Sequence, residues 1–234
     1  MTRSSELAAP RPHLMWFEPW GGLELPRTAL RWRHLAKGKA ETPRAVMVLP
    51  GFSGGERSMG LIAAMLQARG HRVEPWGLGR NRGLVPHYVE TLCPRVAKLA
   101  DESGGPIELI GWSLGGVIAR EVARLEHRAV RSVVTMGSPI QGGPKYTALA
   151  GWAQRRGDLP MDLDALEAMI AERNAVPLPA RQLNIYTKRD GIVGWQACVD
   201  PVSPNARHAE VKTTHVGLGA HAPTLKLARD FIEQ

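Results

Sequence analysis

Three apolar runs of strand length, "AVMVLP" (45–50), "PIELIGW" (106–112) and "VRSVVTMGSP" (130–139), each break off at a glycine-bearing loop. After the first two comes a segment with apolar residues at helical spacing, "MGLIAAMLQARG" (59–70) and "LGGVIAREVARLEH" (114–127). A strand that is apolar along its whole length has to be covered on both faces. The repeated order strand, loop, helix supplies those covers and leads to a mostly parallel, doubly wound α/β sheet. "HRVEPW" (71–76), "RQLNIYTKRDG" (181–191) and "RHAEVKTTH" (207–215) read as further strands, and "APTLKLARDFIEQ" (222–234) as a closing helix. Residues 84–103 carry a helical pattern in Val85, Tyr88, Val89, Leu92, Val96 and Leu99, with Pro94 expected to kink or restart it. "TALRWRHL" (28–35) reads as a first strand, and residues 1 to about 20 as an irregular lead-in.

The alternation fails between about 141 and 180, where two helical stretches follow one another with no strand between. Over a doubly wound sheet such an insertion sits as a small helical cap. With no repeat, linker or low-complexity tract, residues 1–234 read as one domain with that cap inserted. Its apolar residues Tyr146, Leu149, Trp152, Leu163, Leu166 and Met169 either line an acyl pocket or only pack the cap onto the body.

The formal net charge of +8 is spread over helix faces and loops rather than gathered in one basic arm. Nucleic acid is therefore not expected as a partner, while weak association with an anionic lipid surface is. No apolar run approaches the ~20 residues of a membrane span, and the first residues lack the apolar stretch of a secretory signal. Two cysteines, Cys93 and Cys198, make no disulfide framework, so a cytoplasmic chain with reduced thiols is expected.

The residues that carry chemistry follow from where strands end. Gly111-Trp112-Ser113-Leu114-Gly115 places one serine between a strand and a helix in the pattern G-x-S-x-G. A serine hydroxyl attacks only with a general base in reach, an acid to orient that base, and donors for the developing oxyanion. In a parallel sheet these groups gather at the carboxyl ends of different strands. Asp190 follows the strand "LNIY" and is the candidate acid, with Asp200 as its rival. His215 follows the last strand and is the candidate base, ahead of His221, whereas His208 lies at the opposite end of that strand. The backbone N–H of Leu114 and that of Phe52, in the loop "LPGFSGG", are the candidate oxyanion donors. Ser53, Trp112, Arg80, Asn81 and Trp152 are candidate substrate contacts, although the loop "GLGRNRG" (77–83) that carries Arg80 and Asn81 reads more readily as structural. No histidine or cysteine spacing suggests a metal site.

With these residues in place, the chain resembles the α/β-hydrolase superfamily and, within it, the lipase/esterase-like group. The resemblance rests on "VLPGF", "GWSLGG", "TMGSPIQGG", "DGIVGW" and "HVGLG", in that order, over residues 45–233. It implies the α/β-hydrolase fold and hydrolysis of a carboxylic ester of small-molecule or acyl type through an acyl-enzyme. No cofactor is implied. Thioester hydrolysis or acyl transfer would use the same groups, and a non-catalytic binding protein on this fold is the alternative from another class.

Overall fold

The computed structural model describes residues 6–150 and 162–234. Strands β1 (Ala45–Leu49), β2 (Arg72–Pro75), β3 (Ile107–Trp112), β4 (Val130–Met136), β5 (Arg181–Tyr186) and β6 (Ala206–Glu210) form one sheet in the order β2-β1-β3-β4-β5-β6. Every pairing among them is parallel. The order runs outward in both directions from β1 and β3, which makes the sheet doubly wound and puts a crevice at the carboxyl ends of the central strands.

Alternation along the strands divides the core in two. Met47, Leu49, Leu109 and Val133 face α3 (Val85–Glu102) and α4 (Leu114–Leu125). Val46, Val48, Ile110 and Val134 face α2 (Gly60–Ala68) and the closing helix α6 (Ala222–Ile232). Strands β1, β3 and β4 are apolar because both of their faces are buried.

Three expectations are corrected. Residues 28–35 are not a strand: they lie in helix α1 (Glu24–Leu35), whose buried residues Glu24, Thr28 and Leu35 recur at helical spacing. Thr28 donates to the carbonyl of Ala220 at 2.5 Å, so the start of the chain docks beside the start of α6. The lead-in is not irregular either, since Pro12–Leu23 forms a 3-10 helix that buries Glu18 and Gly21. Finally, α3 continues through Pro94 without restarting, carried by the buried stripe from Tyr88 to Ala100.

In the cap region, helix α5 (Leu163–Asn174) starts at Asp162, whose carboxylate caps the N–H groups of Asp164 and Ala165 at 3.0 and 3.1 Å. It is held to the 3-10 turn Gly143–Tyr146 by Lys145 on Asp164 and Glu167, and by the Tyr146 hydroxyl on Glu167. None of its residues is fully buried, and Leu149 and Met169 are exposed. Trp152 lies outside the described residues.

Candidate active site

Ser113 follows β3 directly and precedes the first residue of α4. Its φ is +53° and its ψ −124°, a region that L residues avoid, so the turn is strained. Two backbone bonds hold it there: Ser113 N–H donates to Met136 O at 2.7 Å, and Gly116 N–H donates to Ser113 O at 3.0 Å. The neighbouring glycines are a packing necessity. A Cβ on Gly111 would collide with the backbone of Gly115 and Gly116, and one on Gly115 with the carbonyls of Leu49 and Pro50. The β1 loop therefore presses against the turn, and an ideal Cβ on Gly51 would lie 3.1 Å from that of Ser113. Leu114 N–H sits at the positive end of α4, among the N–H groups that a helix leaves without internal partners.

Asp190 comes four residues after β5, in a turn shaped by its own side chain. Its Oδ1 accepts from Ile192 N–H at 2.8 Å and Val193 N–H at 2.7 Å, while Oδ2 lies 2.7 Å from Nδ1 of His215. Both side chains are buried. Burial alone would lower the proton affinity of His215. The charge and hydrogen bond of Asp190, with a further contribution from Glu18, outweigh that and hold its pKa above the ordinary histidine value. With Nδ1 committed to Asp190, Nε2 is the ring nitrogen left for proton exchange.

Gly137, in "TMGSP", is a part of the site that the sequence reading passed over. It adopts φ +60°, which favours glycine, and a Cβ there would lie 2.7 Å from Leu218 and 3.0 Å from Nδ1 of His215, so any side chain would crowd the ring. The signal was present, as a third strand ending at a glycine. The Trp112 ring stands 6.1 Å from the His215 ring, centroid to centroid.

The rivals have other partners. Asp200 accepts from Arg120 at 2.9 Å and from the N–H of Val202 and Ser203, deep in the fold. His208 Nε2 accepts from the Asp200 N–H at 3.0 Å. His221 precedes α6, and its Nδ1 lies 3.1 Å from the Thr224 hydroxyl. In the loop "GLGRNRG", Asn81 is buried and joins two loops: its amide donates to Pro50 O at 2.9 Å and its carbonyl accepts from Gly83 N–H at 3.0 Å. Arg80 is exposed and bonded to Ser53 at its carbonyl and hydroxyl. Ser53, like Ser113, has a positive φ, +62°. Phe52 is partly exposed on the same loop. A cavity of about 380 Å³ lies beside Asp190, lined also by Arg11, Leu14, Lys188 and Trp195, but neither Ser113 nor His215 borders it.

Among the described residues no group of three or more histidine, cysteine, aspartate or glutamate side chains is arranged to hold a metal ion. Cys93 and Cys198 are both buried and unpaired. Burial raises the Cys198 thiol well above its ordinary pKa, and the nearby Asp190 charge adds to this. No helix among the described residues is long and apolar enough to cross a membrane.

A six-stranded parallel sheet with a strained serine at the end of a central strand is the α/β-hydrolase fold, and this chain has it. Solved structures of lipases, esterases and other α/β hydrolases share it. A mature-form lipase of Bacillus licheniformis superposes with a TM-score of 0.61 at 13% identity, over 82% of this chain and 95% of that one. A monoacylglycerol lipase of Paleococcus ferrophilus gives 0.57 at 15% identity, over 81% and 96%. By sequence, a pimeloyl-[acyl-carrier protein] methyl ester esterase of Edwardsiella ictaluri is 30% identical over 134 residues, 56% of this chain and 48% of the esterase. This chain thus spans about half the length of that curated relative, and less of the Salmonella enzymes of the same name. No family model matches the chain.

Proposed function

We propose that this protein is a serine hydrolase that cleaves carboxylic esters through an acyl-enzyme intermediate. The observation that carries the reading is the strained, positive-φ Ser113 at the same edge of the sheet as the buried pair His215–Asp190. Strain of this kind persists only where surrounding structure holds it, and it concentrates at functional sites.

In the proposed reaction Ser113 Oγ attacks the ester carbonyl as His215 Nε2 takes its proton. Asp190 keeps the proton-bearing Nδ1 in place and stabilises the imidazolium. The N–H groups of Leu114 and Phe52 are the proposed donors to the tetrahedral oxyanion. Collapse breaks the bond to the leaving oxygen, which receives the proton from His215. Water then repeats the sequence on the acyl-serine, releasing the acid and restoring Ser113.

The Edwardsiella relative is named for a methyl ester of a carrier-bound acyl group, which supports an ester with a small alcohol and a longer acyl portion. Trp112, Ser53 and Arg80 are the proposed substrate contacts. Trp16, Phe17 and Trp20 are exposed on the N-terminal 3-10 helix, and within residues 11–31 the arginines Arg11, Arg27 and Arg31 are exposed, Arg27 being ion-paired with Glu24 at 3.0 Å. Both carboxylates of that stretch, Glu18 and Glu24, are buried, which supports weak association with an anionic lipid surface. Sedimentation with phosphatidylglycerol vesicles but not phosphatidylcholine vesicles is the expected result, and binding to neither overturns this part. The two unpaired, buried thiols are in keeping with a cytoplasmic location.

The main test is labelling with a fluorophosphonate probe. The wild-type chain is expected to be labelled at Ser113, with labelling lost in Ser113→Ala and strongly slowed in His215→Ala. No adduct on Ser113, or labelling indifferent to His215, overturns the proposal. A panel of p-nitrophenyl esters of rising chain length, with acyl-CoA thioesters alongside, separates ester from thioester preference.

A further inference from the structure

Glu18 is a carboxylate with 4% of its surface exposed, carried by the N-terminal 3-10 helix far in sequence from the catalytic candidates. Its Oε1 accepts from Gly191 N–H at 2.7 Å and from His215 N–H at 3.1 Å. Its Oε2 accepts from Val216 N–H at 2.8 Å. Gly191 follows the candidate acid directly, and His215 is the candidate base. One side chain from residue 18 therefore ties together the two loops whose separation sets the His215–Asp190 bond.

The three successive N–H groups of residues 191–193 are shared between two carboxylates, Glu18 taking the first and Asp190 the next two. The surrounding backbone is built to admit the helix. A Cβ on Gly21 would meet Gly217 N at 2.5 Å and the Thr214 hydroxyl at 2.6 Å, and one on Gly191 would meet the backbone of Leu14 and Met15 at 2.6 Å. Burying a carboxylate is costly unless donors replace its water, and here three backbone donors do. An apolar side chain at this position would leave the N–H groups of Gly191, His215 and Val216 without this acceptor. A charge at this place acts on His215, which Asp190 also faces.

We infer that Glu18 is a positioning residue for the reaction of Ser113, holding the acid loop and the base loop in register and adding negative charge beside the histidine that becomes positive in the transition state. The inference rests on the proposed roles of Ser113, Asp190 and His215. Glu18 exchanges no proton and touches no substrate. It acts through the backbone of residues 191, 215 and 216.

The test compares wild type, Glu18→Gln and Glu18→Asp, using p-nitrophenyl acetate turnover across pH and fluorophosphonate titration to count competent molecules. Glu18→Gln keeps the shape, loses the charge and turns an amide donor toward a backbone donor. Expected is a fall in kcat per titrated site of about tenfold or more, with KM within about twofold. The acidic limb of kcat/KM should move to lower pH, because a negative charge beside His215 has gone. Loss of fold alone would lower the number of titrated sites and leave that limb in place. Glu18→Asp keeps the charge but is too short to reach all three amides, so kcat should fall while the limb stays near wild type; this variant decides if Glu18→Gln does not fold. Unchanged kcat per site in either folded variant, or an unmoved limb in Glu18→Gln, overturns the inference alone. A wild type that takes no probe at Ser113 overturns both this inference and the function it rests on.

Discussion

Ser113 holds a backbone conformation that costs of order 1–3 kcal/mol in an L residue. Glycine takes positive φ freely, so Ser113→Gly should raise stability by about 1 kcal/mol, read as a higher Tm, while abolishing hydrolysis. An unchanged or lower Tm would show that the turn is not strained in solution. His215 makes the second prediction at this scale. Its proton affinity is raised, and the proposed base is the neutral ring, so kcat/KM should fall on the acid side with a midpoint above about 6.5. Asp190→Asn removes the main charge holding the proton; the midpoint should move down and kcat should drop by roughly 10³–10⁴-fold, the loss seen when a triad carboxylate is replaced. A midpoint that stays put would separate Asp190 from the titrating base. The same raised affinity means that His215 stabilises the fold below its unfolded pKa and loses that contribution as pH rises through its folded value. Reading the sequence singled out Ser113, Asp190 and His215 as candidates because each follows a recognisable strand, and the structure brings the Asp190 and His215 side chains together. That reading missed Gly137, whose role is the space it leaves for a ring that arrives from another part of the chain.

Between elements, the clearest device is the buried pair Arg120–Asp200, at 2.9 Å, which joins α4 to the loop ahead of β6. Arg120 also bonds Gln182 on β5. Burial opposes the charge on Asp200, but Arg120, the N–H groups of Ser203 and Val202 and the Ser203 hydroxyl overcome it and hold the pKa at about 2. Burial lowers the proton affinity of Arg120 too, yet a guanidinium this close to a carboxylate stays charged. Asp200 sits below the ordinary aspartate value of 3.8, so its stabilisation is complete above that value and is lost as pH falls through about 2. That amounts to about 2 kcal/mol, measurable as a steepening loss of denaturant resistance between those pH values. Asp200→Ala should destabilise by about 3–5 kcal/mol, because it strands Arg120 in the interior. A loss under 1 kcal/mol would mean that water reaches the pair. Helix α1 gives the opposite lesson. "TALRWRHL" alternates well enough to pass for a strand, and its helical form is visible only in what it packs on: Thr28 and Leu35 turn toward the body of the fold.

Across the whole molecule, the segment before α1 reaches the loops of Asp190 and His215 through Glu18. Among its described residues it buries Glu18 and Gly21, and it leaves Trp16, Phe17 and Trp20 exposed. A chain beginning at Glu24 should therefore keep the circular dichroism of the intact protein and lose at least tenfold in ester hydrolysis. Full activity in that chain would show that the two loops hold their register unaided. What the sequence alone determined was local: apolar runs broken by glycines, their alternation with amphipathic stretches, and the order serine, aspartate, histidine after β3, β5 and β6. Those features carry their own period and their own turn chemistry, so they can be read without knowing what lies opposite. The tertiary structure decided the rest: Glu18 over the loops of Asp190 and His215, Gly137 beside the histidine ring, and Asp200 in a buried ion pair. Each depends on groups far apart in the chain meeting in space, and neither periodicity nor spacing records such a meeting.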